Sequence, residues 1–214
     1  MAQAVAKQKQ TKGREESHQA RKSEATRNRI IDAAIKCLLE YGYAKTTTPL
    51  IAKEAGLSRG AMMHHFSNRL TIIQKVIEHL HAKRLRAFTK SIENVEPGST
   101  EIHDSVGAYW EQVNHPLFLA FHELSVAART DKDLAAILEP ARAEFKQQWY
   151  DMAVQVFPQW QGSKERFDIA LHLSQNLLEG MAINRFNGTL EDEEVDQLLS
   201  FLEKELQILR PDTS

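Results

Sequence analysis

Arg59, His64 and His65 stand together in Ser58-Arg-Gly-Ala-Met-Met-His-His-Phe66, and each can hydrogen-bond a phosphate oxygen or a base edge. An arginine in the first turn of a helix that enters the major groove can donate two bonds to guanine O6 and N7. A phosphate contact is the equal alternative for Arg59. The histidines also raise metal chemistry, but neither His64-His65 nor His79-x-His81 fits it. Adjacent helical residues point about 100° apart and residues two apart nearly opposite, whereas helical zinc pairs are four apart with further ligands nearby. No metal site and no cofactor is expected. Paired carboxylates, a Cys/His dyad and a phosphate-cradling glycine loop are missing too, so the chemistry on offer is recognition and no enzyme is expected.

These side chains need a rigid mount, and the residues before them supply one. Thr48-Pro-Leu-Ile-Ala-Lys-Glu-Ala-Gly-Leu-Ser58 reads as a short helix and a tight turn leading into a second helix. Thr48 can cap the first helix, with Pro49 at the first helical position where a missing N–H costs nothing. Ile51, Ala52 and Ala55 form its buried stripe. Gly56 suits the left-handed residue that ends a helix, Leu57 plugs the turn, and Ser58 can cap the second helix. That helix presents Arg59, Gly60, His64 and His65, and Met62 and Phe66 hold it on the domain. Lys45, Thr47 and Thr48 gather cations, hydroxyls and free N–H groups at the entrance, an arrangement suited to phosphate.

The overall charge of -2 argues against nucleic acid until it is divided along the chain. Residues 1–90 carry 18 Lys and Arg against 7 Asp and Glu, while residues 91–214 carry 9 against 22. A basic head on an acidic body meets a polyanion with one end only. An apolar content of 42% is ample for a packed core. No run of about 18 apolar residues exists to span a membrane, and no secretory signal is visible, so a cytoplasmic location is expected. Cys37 cannot form an internal disulfide and sits in an apolar helix, where it reads as a small core residue, with a redox-sensing thiol as the alternative.

Helical periodicity dominates from Ser23 onward, which predicts an all-α chain of about nine helices. Residues 1–22 read as a disordered basic tail or as an arm that reaches DNA. Residues 23–70 form the expected helix-turn-helix domain, whose first helix spans 24–42, and 71–214 a larger helical domain. A long helix over 68–92 connects the two, with Ile73, Val76, Ile77 and Leu80 inward and Lys83, Arg84 and Arg86 outward. Val95-Glu-Pro-Gly-Ser99 is a strong breaker. Further helices are expected at 100–114, 116–129, 131–157, with a kink or break at Pro140, then 163–187 and 191–209. In this half Trp110, Phe121, His122, Trp149, His172, Asn176 and Glu179 are candidates to line a mostly apolar ligand cavity.

From about Thr26 to Gln74 the chain resembles the TetR family of bacterial transcriptional regulators. The amphipathic first helix ends in Tyr41-Gly42-Tyr43, followed by Thr46-Thr-Thr48, the Ile-Ala-Lys-Glu-Ala-Gly-Leu-Ser core and the His-His-Phe exit into Asn68-Arg69-Leu70. Met63 stands where the family most often has an aromatic phosphate contact, and Arg69 where it usually has lysine; a planar fork can keep that phosphate contact. The resemblance implies double-stranded DNA with a palindromic operator as partner, and an unidentified small-molecule effector in the acidic half. It also implies a homodimer built by the last two helices and a lever role for the 68–92 helix. Wide apolar stripes place Leu171, Leu178, Met181, Leu198 and Leu202 at that dimer interface. The expected function is a homodimeric repressor released by its effector. A ligand-responsive activator, and an all-α enzyme or carrier with an incidental helix-turn-helix, are the alternatives.

Overall fold

In the computed structural model, residues 2–92, 101–160 and 162–211 are described, with side chains over 18–90, 101–160 and 162–211. The breaker at 95–99 lies outside the described residues. Among those described there are nine α-helices, a single 3-10 turn at Pro158–Trp160 and no strand. The helices are α1 (Ala2–Lys45), α2 (Thr48–Glu54), α3 (Arg59–Met63), α4 (Arg69–Ile92) and α5 (Glu101–Val113). They continue with α6 (Pro116–Ala127), α7 (Lys132–Val156), α8 (Lys164–Phe186) and α9 (Asp192–Leu209).

Helix α1 starts at Ala2, so the segment expected as a disordered tail continues the helix. Nearly every side chain from His18 to Arg29 is exposed, and burial starts at Ile30. The stretch from His18 to Arg29 therefore has no apolar stripe to dock it, while its backbone bonds are met within the helix. At the other end Gly42 breaks the helical dihedrals with φ 73°. A Cβ there would lie 2.9 Å from Glu123 Oε1, so both the backbone and the neighbour demand glycine.

Caps explain most of the remaining ends. Asn68 Oδ1 accepts from the Thr71 N–H at 2.9 Å ahead of α4, and Asp131 Oδ1 accepts from the Leu134 N–H at 2.9 Å at α7. Pro116 opens α6 behind His115, whose Nδ1 accepts from the Leu117 N–H. Glu191 and Glu194 form a reciprocal capping box at α9. Helix α7 runs through Pro140 as one helix, so the expected break is absent.

The core is divided, but not at residue 70. One cluster packs Ile30 to Leu38 of α1, α2, α3 and the first half of α4 together with Ala120 and Leu124 of α6 and Leu134 and Leu138 of α7. The second joins Phe88, α5, the later part of α7, α8 and α9. Helix α4 crosses between them, with Leu80 in the first and Phe88 in the second. Cys37 is fully buried in the first cluster, and burial pushes its thiol up, which favours the neutral core residue over a reactive thiolate.

Arg84 corrects the outward placement expected for it. It is 6% exposed at the crossing point, and its Nη2 donates to Glu179 Oε1 at 3.3 Å. Its guanidinium carbon lies 4.7 Å from the ring centre of Phe145, 5.3 Å from Phe121 and 5.5 Å from Phe118. A buried cation needs a counter-charge and benefits from aromatic faces, and Arg84 has both.

Candidate nucleic-acid interface and body cavity

The turn between α2 and α3 follows from its residues. Thr47 caps α2, one position before the expected Thr48, and its hydroxyl accepts from the Leu50 N–H at 3.5 Å. The shift leaves Pro49 in the first turn. Helix α2 closes at Ala55, Gly56 takes φ 63°, and the Leu57 N–H returns to Ala52 O at 2.9 Å. Ser58 then caps α3, accepting from the Ala61 N–H at 3.1 Å. Fully buried Met62 and nearly buried Phe66 fasten α3 to the core, as expected.

That anchoring leaves Arg59 and Gly60 exposed on α3, which ends before the two histidines expected on it: His64 is exposed at its C-cap and His65 half-buried in the turn beyond, while Lys45 and Thr47 are exposed before α2 and Thr48 is half-exposed at its first position. Arg59 and Lys45 have no side-chain hydrogen bond or ion pair within the described residues, so both cations are available to a ligand. An exposed helix with free donors, held by apolar residues on its opposite side, can enter a groove without unfolding anything.

Arg69 is placed differently from the expectation. Its Nη2 donates to the Tyr43 carbonyl, its guanidinium lies 4.0 Å above the Tyr43 ring, and the side chain is half-buried. One arm of the fork, Nη2, is engaged inside the head, and Nε is buried without a partner.

Tyr43 is the residue that sequence reasoning quoted only as a helix end. Its N–H donates to Glu123 Oε1 at 2.6 Å and its hydroxyl to Asp131 Oδ2 at 2.9 Å. The head therefore meets the body through α1 against α6 and α7, as well as through α4. A sequence separation of 80 and 88 residues leaves no local signal for either bond.

The seven residues expected around a ligand do not converge. Trp149 lines a cavity of about 80 Å³ between α5, α7 and α8, with Phe88, Tyr109, Trp160 and Phe167 among its other walls. Trp110 faces a separate open groove with Asn114, Arg185 and Phe186. Phe121 packs on His81 and Arg84, and His122 stacks on Phe118. Glu179 Oε1 accepts from both Arg84 and Tyr109, the latter at 3.0 Å. His172 and Asn176 are exposed and bonded to each other through Asn176 Nδ2 and the His172 carbonyl. The aromatic content of this half is a compositional signal for a cavity, but which rings face it depends on helix rotation.

Burial accounts for the protonation states near the crossing point. His81 is 7% exposed between Phe121 and Phe145, and burial, then Arg84 and Arg142, lower it to about 4. It is neutral at physiological pH. Burial, then the Glu179 charge, raise the Tyr109 phenol far above its ordinary value, so it remains a donor. Among the described residues no group of three potential metal ligands comes together, and no helix is long and apolar enough to cross a membrane.

The expected dimer residues also separate. Leu178, Met181 and Leu202 are buried in the chain's own core, and Leu171 lines the cavity; Leu198 is only partly buried. The apolar residues left outside are Ile169 and Phe186 on α8 and Phe201 and Ile208 on α9.

Residues 30–76 match the family model described as bacterial regulatory proteins, tetR family. An uncharacterised HTH-type transcriptional regulator of Mycobacterium tuberculosis, Rv2912c, is 26% identical over 184 residues, spanning 84% of this chain and 91% of that protein. The HTH-type transcriptional regulator TtgR of Pseudomonas putida is 35% identical over 77 residues, 35% of this chain and 37% of its own. Among solved structures, Salmonella enterica GusR has the same fold with a TM-score of 0.64 at 18% identity, covering 87% of this chain and 95% of that one.

Proposed function

We propose that this chain is a DNA-binding transcriptional regulator of the TetR family, a reading that the match of residues 30–76 and the exposed, capped α3 support. It acts as a homodimeric repressor that holds a palindromic operator and lets go when a small molecule enters the body. The observation that carries this reading is the capped α3, with Arg59 exposed and free of internal partners above a buried Met62. Arg59 reads a base edge. Lys45, Thr47, Thr48, Ser58, Gly60, His64 and His65 position the head on phosphates and the groove wall.

The dimer forms when α8 and α9 of two chains pack as a four-helix bundle, covering Ile169, Phe186, Phe201 and Ile208. Two heads then reach half-sites about 34–36 Å apart, one helical turn of DNA. Control works by geometry. Helix α4 and the Tyr43 contacts with α6 and α7 connect the body to the head, so a ligand that shifts α4 or α7 changes the spacing of the two α3 helices. By linkage, operator DNA weakens ligand binding by the same factor.

Selection of bound duplexes from a random pool tests the reading. An inverted repeat with half-sites one turn apart is the expected product, together with higher transcription of the operator-bearing gene when this protein is removed. Recovery of a single asymmetric site, or of no preferred sequence, would sink the dimeric operator reading; a fall in transcription on removal would make the protein an activator.

A further inference from the structure

One side of the head carries cations that α3 and its entrance do not use. The stretches His18–Arg29 of α1 and His79–Lys90 of α4 together hold eight Lys and Arg against Glu24 alone. Of these, Arg84 is buried and paired with Glu179. Arg21, Lys22 and Arg29 are exposed on α1, and Lys83, half-exposed, is followed by exposed Arg86 and Lys90 along the His79 stripe of α4. None of these six has a side-chain hydrogen bond or ion pair within the described residues. The two stretches belong to one surface. Arg69 lies over Tyr43 at one end and His79 Nε2 lies 4.0 Å from Asp32 Oδ1 further along, so α1 and α4 run antiparallel and the start of α1 lies toward the end of α4. At 100° per residue, Arg21, Lys22 and Arg29 fall on the Asp32 side of α1, the side turned to that stripe. Glu24, Asp32 and Glu111, which lines the same cleft as Lys83, are the carboxylates alongside.

The structure assigns a second phosphate-binding surface to this side of the head, formed by Arg21, Lys22 and Arg29 of α1 with Lys83, Arg86 and Lys90 of α4, which holds duplex DNA outside the half-site that α3 reads. Unopposed cations on a rigid helix suit a polyanion, and a stretch with no apolar side has nothing to insert into a membrane or to pack on a protein core. Duplex DNA is the polyanion the same head already engages. Reach agrees with this: Arg21 lies 24 residues before Lys45, about 35 Å along α1, close to one helical turn of DNA. Direction follows from room. Two heads on half-sites about 34–36 Å apart leave no space between them for two leading helices, each about 40 Å long from Ala2 to Arg29, so each helix lies over the outer flank. Phosphate contacts of this kind carry no sequence information and add affinity that salt removes. The assignment rests on the reading of the head as DNA-binding and extends the length of duplex that it holds.

The full-length protein is titrated with two duplexes: the selected operator trimmed to its half-sites, and the same operator with about 15 further base pairs, one and a half turns, on each side. The longer duplex should bind about tenfold more tightly at low salt, and its slope of log affinity against log salt should be steeper by about two per subunit, as two added phosphate contacts give. Changing all six cations to glutamine should erase both differences and leave affinity for the trimmed operator within about threefold, since charges this far from the half-site are largely screened. Hydroxyl-radical cleavage should show protection of the outer flanks by the unmodified protein and none by the variant. Circular dichroism checks that the variant is folded; where it is not, Arg21→Gln with Lys22→Gln and Arg29→Gln should by itself remove about half of the slope difference. Equal affinity and slope on the two duplexes, a length advantage that survives the substitutions, or an equal loss on the trimmed operator overturns the assignment. A third duplex of scrambled sequence separates it from the reading it rests on. If the scrambled long duplex binds as tightly as the operator and loses the same factor in the variant, the surface stands and the operator reading falls; failure to bind any of the three overturns both.

Discussion

The Tyr43 hydroxyl donates to Asp131 Oδ2 at 2.9 Å, and the same Asp131 carboxylate caps α7 through the Leu134 N–H. One side chain of the head thus ends on the first turn of a body helix. Through Arg69 above its ring and Glu123 beneath its backbone, Tyr43 joins α1, α4, α6 and α7 at a single point. A long α4 acting alone as a rod could twist without consequence for α1. With this second connection, movement of α6 or α7 reaches the head directly.

Replacing Tyr43 by phenylalanine removes the bond to Asp131 and keeps the ring under Arg69. Urea titration at neutral pH should show a loss of about 1 kcal/mol. The pH dependence has a definite sign. Burial, and then the bond to Asp131, push the Tyr43 phenol up to about 12 from an ordinary 10.0. The folded state therefore keeps a proton that the unfolded chain releases, so this stability is fully present below about pH 10 and is lost as the pH rises toward 12. Tyr43→Phe should have a shallower alkaline decline; an identical slope would show that Tyr43 does not hold its proton as described.

Arg69→Ala separates a structural role from a phosphate contact. Loss of the Tyr43 stacking and carbonyl bond should lower stability by about 1–2 kcal/mol, with little change in the salt dependence of operator binding. A salt slope reduced by about one per subunit with stability intact would return Arg69 to the DNA-contacting set.

Arg59→Ala and Lys45→Ala should fail in different ways. The first is expected to cost roughly 1–3 kcal/mol on the preferred operator and to flatten discrimination at one position. The second should weaken all duplexes alike and reduce the salt slope. Competition binding across single-base operator variants distinguishes them. Uniform weakening by Arg59→Ala would make it a phosphate contact.

For the dimer, Phe201→Glu combined with Ile208→Glu should give folded monomers, seen as halved mass in light scattering with unchanged helical circular dichroism. Leu202→Glu should instead unfold the chain, because Leu202 is fully buried within its own subunit. A dimer that survives the exposed pair of substitutions would place the interface elsewhere.

Arg84→Ala leaves Glu179 with Tyr109 as its remaining partner and opens a space between three phenyl rings, at a cost of about 2–4 kcal/mol by thermal or denaturant unfolding. Glu179→Gln should cost less, because the amide oxygen still accepts from Tyr109 and Glu179 is only partly buried. Equal losses would mean that the charge pairing matters less than the hydrogen bonds.

The helix-turn-helix was legible in the sequence because its determinants are local. Pro49, Gly56 and Ser58 act within a few residues of themselves, through a fixed φ, a left-handed dihedral and a side-chain cap, and Met62 and Phe66 alternate with polar residues at helical spacing. The all-α class and, apart from α1, the helix ends within a residue or two follow from the same short-range rules. The charge split between head and body is a property of order along the chain and requires no folding at all.

Folding alone decided which face each side chain uses and what it meets. Arg84 reads as one of three cations on a solvent face, yet a small difference in helix rotation directs it between Phe118, Phe121 and Phe145 toward Glu179, 95 residues away. Leu178 and Leu202 lie on apolar stripes that fit a dimer interface equally well; the subunit's own core claims them and leaves Phe201 and Ile208 outside. Trp149 was recognisable as a large aromatic residue, but its burial depends on Phe88 and Tyr109, which pack against its ring from separate helices. Local sequence sets dihedrals and caps within one turn, whereas these contacts are chosen by the packing of distant helices, where the burial of one stripe determines what every neighbour can reach.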